Sequence, residues 1–311
     1  MAVKTETTSN DAQNDYRSNS LARLTLRRIF RQRSALIGGT ILLLLVLVTI
    51  FAPILAPYDP EEVLIGKEDI SRRSAPCIHL FGCPEDQPQH ILGTDGNVRD
   101  VFSRVIFGTR VSLFIGFSTV GFAIIIGTFL GSIGGYMGGW VDNLIMRFMD
   151  VLLAFPSLLL AIAIVSVLGR GLQNALLAIA IVTIPVYARV VRGSVLSVKE
   201  QPYVDASRAL GGSHFHILFK RILPNAIPPL IVQGTLGIAT AILDAAALSF
   251  LGLGAQPPTP EWGTMLGSER NQVFTAPHLV FFPGLAIMIT VLAFNLLGDG
   301  LRDAIDPRLK Q

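Results

Sequence analysis

Charged side chains are what this sequence has least of: they make up 15% of its 311 residues, against about 25% in a typical soluble domain. The shortfall is concentrated in uninterrupted apolar runs. That distribution excludes a soluble core, whose segments are shorter and patterned, and points to a polytopic membrane protein. Signatures of chemistry are missing as well. GxxxxGK[ST], HExxH and GxSxG do not occur, so no loop cradles a nucleotide phosphate and no catalytic motif is visible. No basic run is interleaved with aromatics, which sets nucleic acid aside despite a net charge of +3 and an isoelectric point near 9.0. In a membrane chain that excess reports topology instead. Cysteine is reduced to two residues.

What is present is apolar length. Hydrophobic residues make up 51% of the chain. The run 35–56 carries no charge and is long enough for one crossing of about 20 residues. It is too long for a signal-peptide core and follows a polar leader, so an uncleaved first span is expected. Further spans are expected at 111–134, 144–168, 172–190, 227–251 and 281–297, giving an all-α, six-helix membrane fold. With the N-terminus inside, 17 Lys and Arg fall on cytoplasmic segments and 8 outside, which places both termini in the cytoplasm. The chain then divides into a cytoplasmic tail 1–34, a first helix 35–56 and an extracytoplasmic loop 57–110. A five-helix core 111–297 with a cytoplasmic loop 193–225 follows, then a tail 298–311. In the second span, GTFLG and the GYMGG after it are small-residue patterns that allow close helix packing.

Three polar features stand out. Cys77 and Cys83 lie in PCIHLFGC on the outer loop, where a disulfide stapling the short loop is expected. A metal site from Cys77, His79, Cys83 and His90 would be irregular in spacing, and free thiols are the third state. Asp244 stands inside the fifth span, where a carboxylate is expensive. It reads first as a buried structural group, then as a pathway-lining one, and last as a proton carrier. Asp142, Arg147 and Asp150, at helical spacing, read as ion pairs at a helix interface.

The polar stretch VDASRALGGSHFHILFKRILPN interrupts the apolar runs at 204–225. Tyr203, Ala206 or Ser207, and Leu210 share one helical face, with Asp205 and Arg208 three residues apart. Gly211-Gly212 suits a helix stop. A second helix is expected with Phe215, Leu218, Phe219 and Ile222 on one stripe and His216 and Lys220 opposite. Pro224 and Asn225 punctuate the entry to the next span. The segment therefore reads as helix, tight turn, then helix running into the membrane: a lever if a rigid body docks on its first helix. A passive amphipathic loop is the competing reading. His214 and His216, two residues apart, diverge on a helix and do not form a ligand pair.

DASRALG followed by RILPN resembles the EAA---G---I-LP cytoplasmic loop of binding-protein-dependent ABC transporter permeases. Asp205, Ala206 and Ser207 match E-A-A, Gly211 the glycine, and Leu223-Pro224 the closing L-P. Arg221 stands where that pattern has Ile. HILGTDGNVRDVFSRVIFGTRVSL resembles the outer segment of the dipeptide and oligopeptide (and nickel) permease family, with Val98 where that pattern has Gly, so a different turn is expected there. GGWVDNLIMRFMDVLLAFPSLLLAI, GAQPPTPEWGTML and GDGLRDAIDPRLKQ also match, and the set suggests a C-type subunit of a dipeptide permease. The resemblance implies a type I ABC importer half in the lipid bilayer, which is not itself an enzyme. It implies a homologous second permease, two cytoplasmic ATPase subunits that hold ATP and Mg, and an extracytoplasmic substrate-binding protein. No cofactor would be bound by this chain. Tyr203, Asp205, Ala206, Ser207, Arg208, Leu210, Gly211, Leu223 and Pro224 would be its ATPase-coupling residues. Nickel chelates and glutathione are the alternative cargoes. An ion-coupled secondary transporter would need more intramembrane ionisable groups and often a repeat; a membrane enzyme would need a catalytic cluster.

Overall fold

The computed structural model describes residues 32–305. Most of the expected N-terminal tail, and residues 306–311 with Arg308 and Lys310, lie outside the described residues. Among the described residues the secondary structure is helical apart from two isolated β-bridges, Ile65 with Glu68 and Thr94 with Asp100. The helices are α1 (Arg33–Leu55), α2 (Val101–Met137), α3 (Gly139–Leu153), α4 (Ser157–Leu168), α5 (Leu172–Lys199), α6 (Pro202–Ala209), α7 (His214–Ile217), α8 (Leu223–Phe250), α9 (Trp262–Glu269) and α10 (His278–Ile305). Five segments are long and apolar enough to cross a membrane, and α3 with α4 makes a sixth when the two are taken together.

Several boundaries differ from the sequence-based expectation. The third run is not one straight span: α3 and α4 meet at a 90° bend. Pro156 sits at the break, where its ring removes an N–H and disfavours a helical residue before it. Residues 101–110 belong to helix rather than loop, because the Asp100 side chain accepts a hydrogen bond from the Ser103 N–H at 2.7 Å and caps α2. Residues 193–199 continue α5, and 298–305 continue α10. Hydropathy marks the thickness of the hydrocarbon layer, whereas caps decide where a helix stops, so polar turns extend past the apolar run.

The bundle is organised around α2 against α5. Gly127, Gly131 and Gly135 recur every fourth residue on α2 and form the seam. A Cβ at Gly127 would lie 2.7 Å from Tyr187 Cβ, and one at Gly135 would lie 3.0 Å from the Arg192 carbonyl oxygen. Lipid gives no hydrophobic drive between helices, so this close backbone approach and its dispersion contacts hold the pair. α1 is peripheral. It buries only Ala35, Gly38 and Ala52 and touches α10 through Gly38, which faces Ala293 and Leu297. Its Leu43, Leu44 and Ile54 point outward, as a lipid-facing helix requires. Asp142 pairs with Arg192 through both carboxylate oxygens, and Asp150 pairs with Arg189, so two ion pairs join α3 to α5. Arg147 takes part in neither.

Residues 56–100 cover one end of the bundle. Cys77 and Cys83 are disulfide-bonded with Cα atoms 5.4 Å apart. His90 is fully buried, stacked on Tyr58 at 4.8 Å. Its Nδ1 lies 2.8 Å from an Asp100 carboxylate oxygen and its Nε2 3.0 Å from one of Glu68, and only the protonated imidazole donates to both. Burial opposes charge on this imidazole, but the hydrogen bonds to Asp100 and Glu68 outweigh it and raise its pKa. Asp95 accepts from the backbone N–H groups of Asn97 and Arg99, and from Arg99 Nε at 2.7 Å. Arg104 donates to the Pro60 carbonyl at 2.6 Å and the Pro258 carbonyl at 3.2 Å. The residues of HILGTDGNVRDVFSR thus hold one another. Val98 does not change the turn to an ordinary one: its φ is +56°, inside the left-handed region that favours glycine. The buried Val98 side chain offsets part of a strain of roughly 1–2 kcal/mol. Farther along, Glu261 caps α9 by accepting from the N–H groups of Gly263 and Thr264, and Trp262 Nε1 donates to the Val105 carbonyl. Arg73 and the Gly96 N–H both donate to Glu269, fixing the α9 segment to the 56–100 cover.

Candidate functional site

Two features carry polar groups into places that packing alone does not require. The first is the projecting segment 202–222. Pro202 opens α6, where a missing N–H does no harm. Val204 is its only buried residue, and Tyr203, Asp205, Ala206, Arg208 and Leu210 are all exposed, Leu210 at 88%. Arg208 donates to Asp205 at 2.9 Å, and Ser207 Oγ turns back onto the Tyr203 carbonyl. Gly211 adopts φ +78°, its N–H bonds the Arg208 carbonyl, and the Gly212 N–H bonds the Ser207 carbonyl. This pair of bonds is a Schellman stop, which needs a left-handed residue at position 211.

Beyond the stop, Ser213 caps α7 by accepting from the His216 N–H. Residues Leu218–Ile222 then form a π-helical turn, in which the Leu223 N–H reaches the Leu218 carbonyl. Pro224 follows directly, and a widened turn accommodates a residue that lacks an N–H and crowds the carbonyl four places back. Leu223 is half-buried and Pro224 exposed. Through this turn α7 continues into α8 without a break long enough to uncouple them. Tyr203 Oη donates to the Arg221 carbonyl at 3.4 Å, and Asn225 Nδ2 donates to Tyr203 Oη at 3.2 Å. The first helix is therefore tied to the foot of α8. The expected single stripe on the second helix splits: Leu218 and Ile222 are buried, whereas Phe215 and Phe219 stack on each other at 4.4 Å on the exposed side. Ile217, on the turn of α7, takes the buried place that Phe215 was expected to hold. A cavity of about 650 Å³ lies where this segment meets the ends of α2 and α5, bordered by Tyr136, Lys199, Arg208 and His214.

The second feature is a groove of about 420 Å³ bounded by the α3–α4 bend, α5 and α8. α8 contributes Gln233, Gly237, Thr240 and Asp244, and α5 contributes Thr183 and Tyr187. Asp244 is half-buried and has no hydrogen-bond or ion-pair partner among the described residues. Only Asp244 of this stripe was singled out from sequence. Spacing of 4, 3 and 4 residues places all four on one helical line, a signal readable in QGTLGIATAILD but hidden by the small size of Gly and Thr. Tyr187 and Thr183 carried no such signal, since their approach depends on the fold of α5 against α8. Among the described residues no three His, Cys, Asp or Glu side chains are grouped to hold a metal ion.

Residues 123–311 match the family described as binding-protein-dependent transport system inner membrane component, and residues 20–76 match the N-terminal transmembrane domain of oligopeptide transport permease C. The dipeptide transport system permease protein of Alkalihalophilus pseudofirmus is 46% identical over 98% of this chain and 96% of its own length. That of Haemophilus influenzae is 48% identical over 91% of this chain and 93% of its own. The glutathione transport system permease protein of Pectobacterium atrosepticum is 47% identical over 91% of this chain and 90% of its own. Among solved structures, the inward-facing MetNI methionine ABC transporter has a similar fold: TM-score 0.55 and 20% identity, over 65% of this chain and 97% of that one. The long apolar helices and these matches agree, and the chain belongs to the inner-membrane permease components of binding-protein-dependent transport systems.

Proposed function

We propose that this chain is one membrane half of an ABC importer for di- and oligopeptides, with α6 and the turn after it as the contact for a cytoplasmic ATPase. The observation that carries the reading is the continuity of the segment. An exposed helix with one buried anchor is stopped at Gly211 and tied by Tyr203 and Asn225 to α8, whose far part lines the polar groove. A push on α6 is thereby delivered to the wall of the groove rather than absorbed in a loose loop. Asp205, Ala206, Ser207, Arg208, Leu210 and Gly211 form the contact, and Leu223 and Pro224 the hinge into the membrane. The excess of Lys and Arg on one side supports cytoplasmic termini. A homologous second permease would close the open side of the groove. Two ATPase subunits would bind ATP and Mg, for which this chain has no phosphate loop. An external binding protein would deliver cargo.

The test is uptake of a labelled dipeptide by the reconstituted complex carrying Asp205→Lys or Gly211→Val. Valine at this left-handed position costs about 1–2 kcal/mol, and at exposed Gly211 no packing offsets the strain as burial does at Val98, so the stop is weakened. ATP-driven uptake is expected to be lost while the chain still inserts with its permease partner. Undiminished uptake, with the ATPase still co-purifying, refutes the coupling role. The glutathione permease relatives support a second cargo, itself a small peptide. Ligand identification on the cognate binding protein separates the two.

A further inference from the structure

We infer that Asp244 is the point in the groove that receives the cationic amino group of the cargo, an inference that rests on the peptide-import reading above. Gln233, Gly237, Thr240 and Asp244 form one line on α8, about 16 Å from end to end at 1.5 Å per residue. The line faces Thr183 and Tyr187 on α5 and Ser157 at the start of α4. At its centre a side chain is excluded: a Cβ at Gly237 would collide with the Tyr187 hydroxyl. The phenol therefore lies directly over the α8 backbone and narrows the groove between Gln233 and Thr240.

Asp244 is the one carboxylate on this line, and no Lys, Arg or His of the described residues neutralises it. Keeping an uncompensated carboxylate away from bulk water is costly. A structural carboxylate in a membrane bundle would be satisfied by its neighbours, as Asp142 is by Arg192 and Asp150 by Arg189. Thr240 does not serve, because its hydroxyl donates to the Leu236 carbonyl within α8. Within the described residues of this chain nothing pairs with Asp244, and the group it faces across the groove is one that arrives there: a cation with N–H donors. A peptide amino terminus meets that description and makes a charge-assisted hydrogen bond to the carboxylate. An extended dipeptide spans about 7 Å; along the helix Thr240 lies about 6 Å from Asp244 and Gly237, under the Tyr187 hydroxyl, about 10 Å, so a dipeptide anchored at Asp244 ends near Thr240, on the Asp244 side of the Tyr187 constriction. A divalent metal ion fits poorly, since the groove offers one carboxylate and no imidazole or thiolate. A proton relay needs a chain of ionisable groups, and Asp244 has no carboxylate or imidazole beside it in the groove.

The experiment uses the full complex, reconstituted in liposomes with its partner subunits and binding protein, and radiolabelled dialanine as cargo. Asp244→Asn is expected to cut uptake at least tenfold with normal complex yield and unchanged dialanine affinity of the binding protein, while Asp244→Glu keeps most of it. Asp244→Cys adds the only thiol outside the Cys77–Cys83 disulfide. A carboxylate-bearing methanethiosulfonate should restore uptake to that variant and an ammonium-bearing one should not. Wild-type uptake in the Asn variant overturns the inference, as does an introduced thiol in Asp244→Cys that reacts with neither reagent. Failure of the Asn and Cys variants to assemble marks a packing carboxylate and overturns it too. A wild-type complex that imports no dialanine overturns the peptide reading and this inference together.

Discussion

The α2–α5 seam can be tested by adding one methyl group. Gly127→Ala places a Cβ 2.7 Å from Tyr187 Cβ and 3.0 Å from the Ala188 nitrogen. Ordinary carbon contacts lie at about 3.5–4.0 Å, so the two helices must separate locally by about 0.8 Å. A gap of that size forfeits roughly a quarter to a half of each dispersion contact it opens, and overpacking of this kind costs about 1–3 kcal/mol. Alanine also raises helix propensity by up to about 1 kcal/mol over glycine, which would mask part of the loss. Gly121 supplies the control, because it is on the same helix and a Cβ there meets nothing within 4 Å. Gly121→Ala keeps the propensity gain without the clash. The difference between the two variants, about 1–3 kcal/mol, is therefore the clash alone. It is measured as the shift in SDS-induced unfolding of the purified chain in mild detergent, monitored by circular dichroism. Equal midpoints for Gly127→Ala and Gly121→Ala would refute the seam as the organising contact.

Two further predictions follow from the ion pairs. Because the folded-state pKa of His90 is raised, its pairing with Asp100 and Glu68 contributes fully below the unfolded value of about 6.5 and is lost as pH rises through the folded value. Protease resistance of the 56–100 segment should fall over that alkaline interval, and His90→Phe should remove the pH dependence; a flat profile in the wild type contradicts the assignment. Asp142 is nearly buried and Arg192 about a third exposed, at 34%, so their coupling should lie between surface and buried pairs, at about 1–3 kcal/mol. A double-mutant cycle with Asp142→Ala and Arg192→Ala measures it, and a coupling below about 0.3 kcal/mol would show that the pair is incidental.

The segment 202–222 was legible because its structure is local. A Schellman stop depends on Gly211 and its neighbours in the chain, and Pro224 withholds the N–H that a continuous helix from α7 into α8 would use. The stripe Phe215, Leu218, Phe219, Ile222 was legible only as a helix. Which of its members are buried depends on where α7 meets the bundle, and the structure buries Ile217, Leu218 and Ile222 while leaving the two phenylalanines outside. The break at Pro156 was present in the sequence, but hydropathy averages over it, and the apolar run on both sides concealed the bend. His90, Arg99 and Arg104 carried the resemblance to a family pattern without a visible reason. The reason is a set of hydrogen bonds to Asp100, Glu68, Asp95 and Pro60 that folding brings together.

By itself the sequence determined that the chain is a helical membrane protein, how many apolar runs it has, and where one polar helix–turn–helix segment interrupts them. These follow from composition, periodicity and local backbone preference, each set by residues adjacent in the chain. Only the tertiary structure decided that Asp244 has no partner among the described residues while Asp142 and Asp150 are paired, and that Tyr187 lies across Gly237 to narrow a groove. Those outcomes depend on which faces of α3, α5 and α8 meet: backbone approaches closely at Gly127 and Gly135, and the Tyr187 hydroxyl meets α8 at Gly237, at distances that no spacing along one helix encodes.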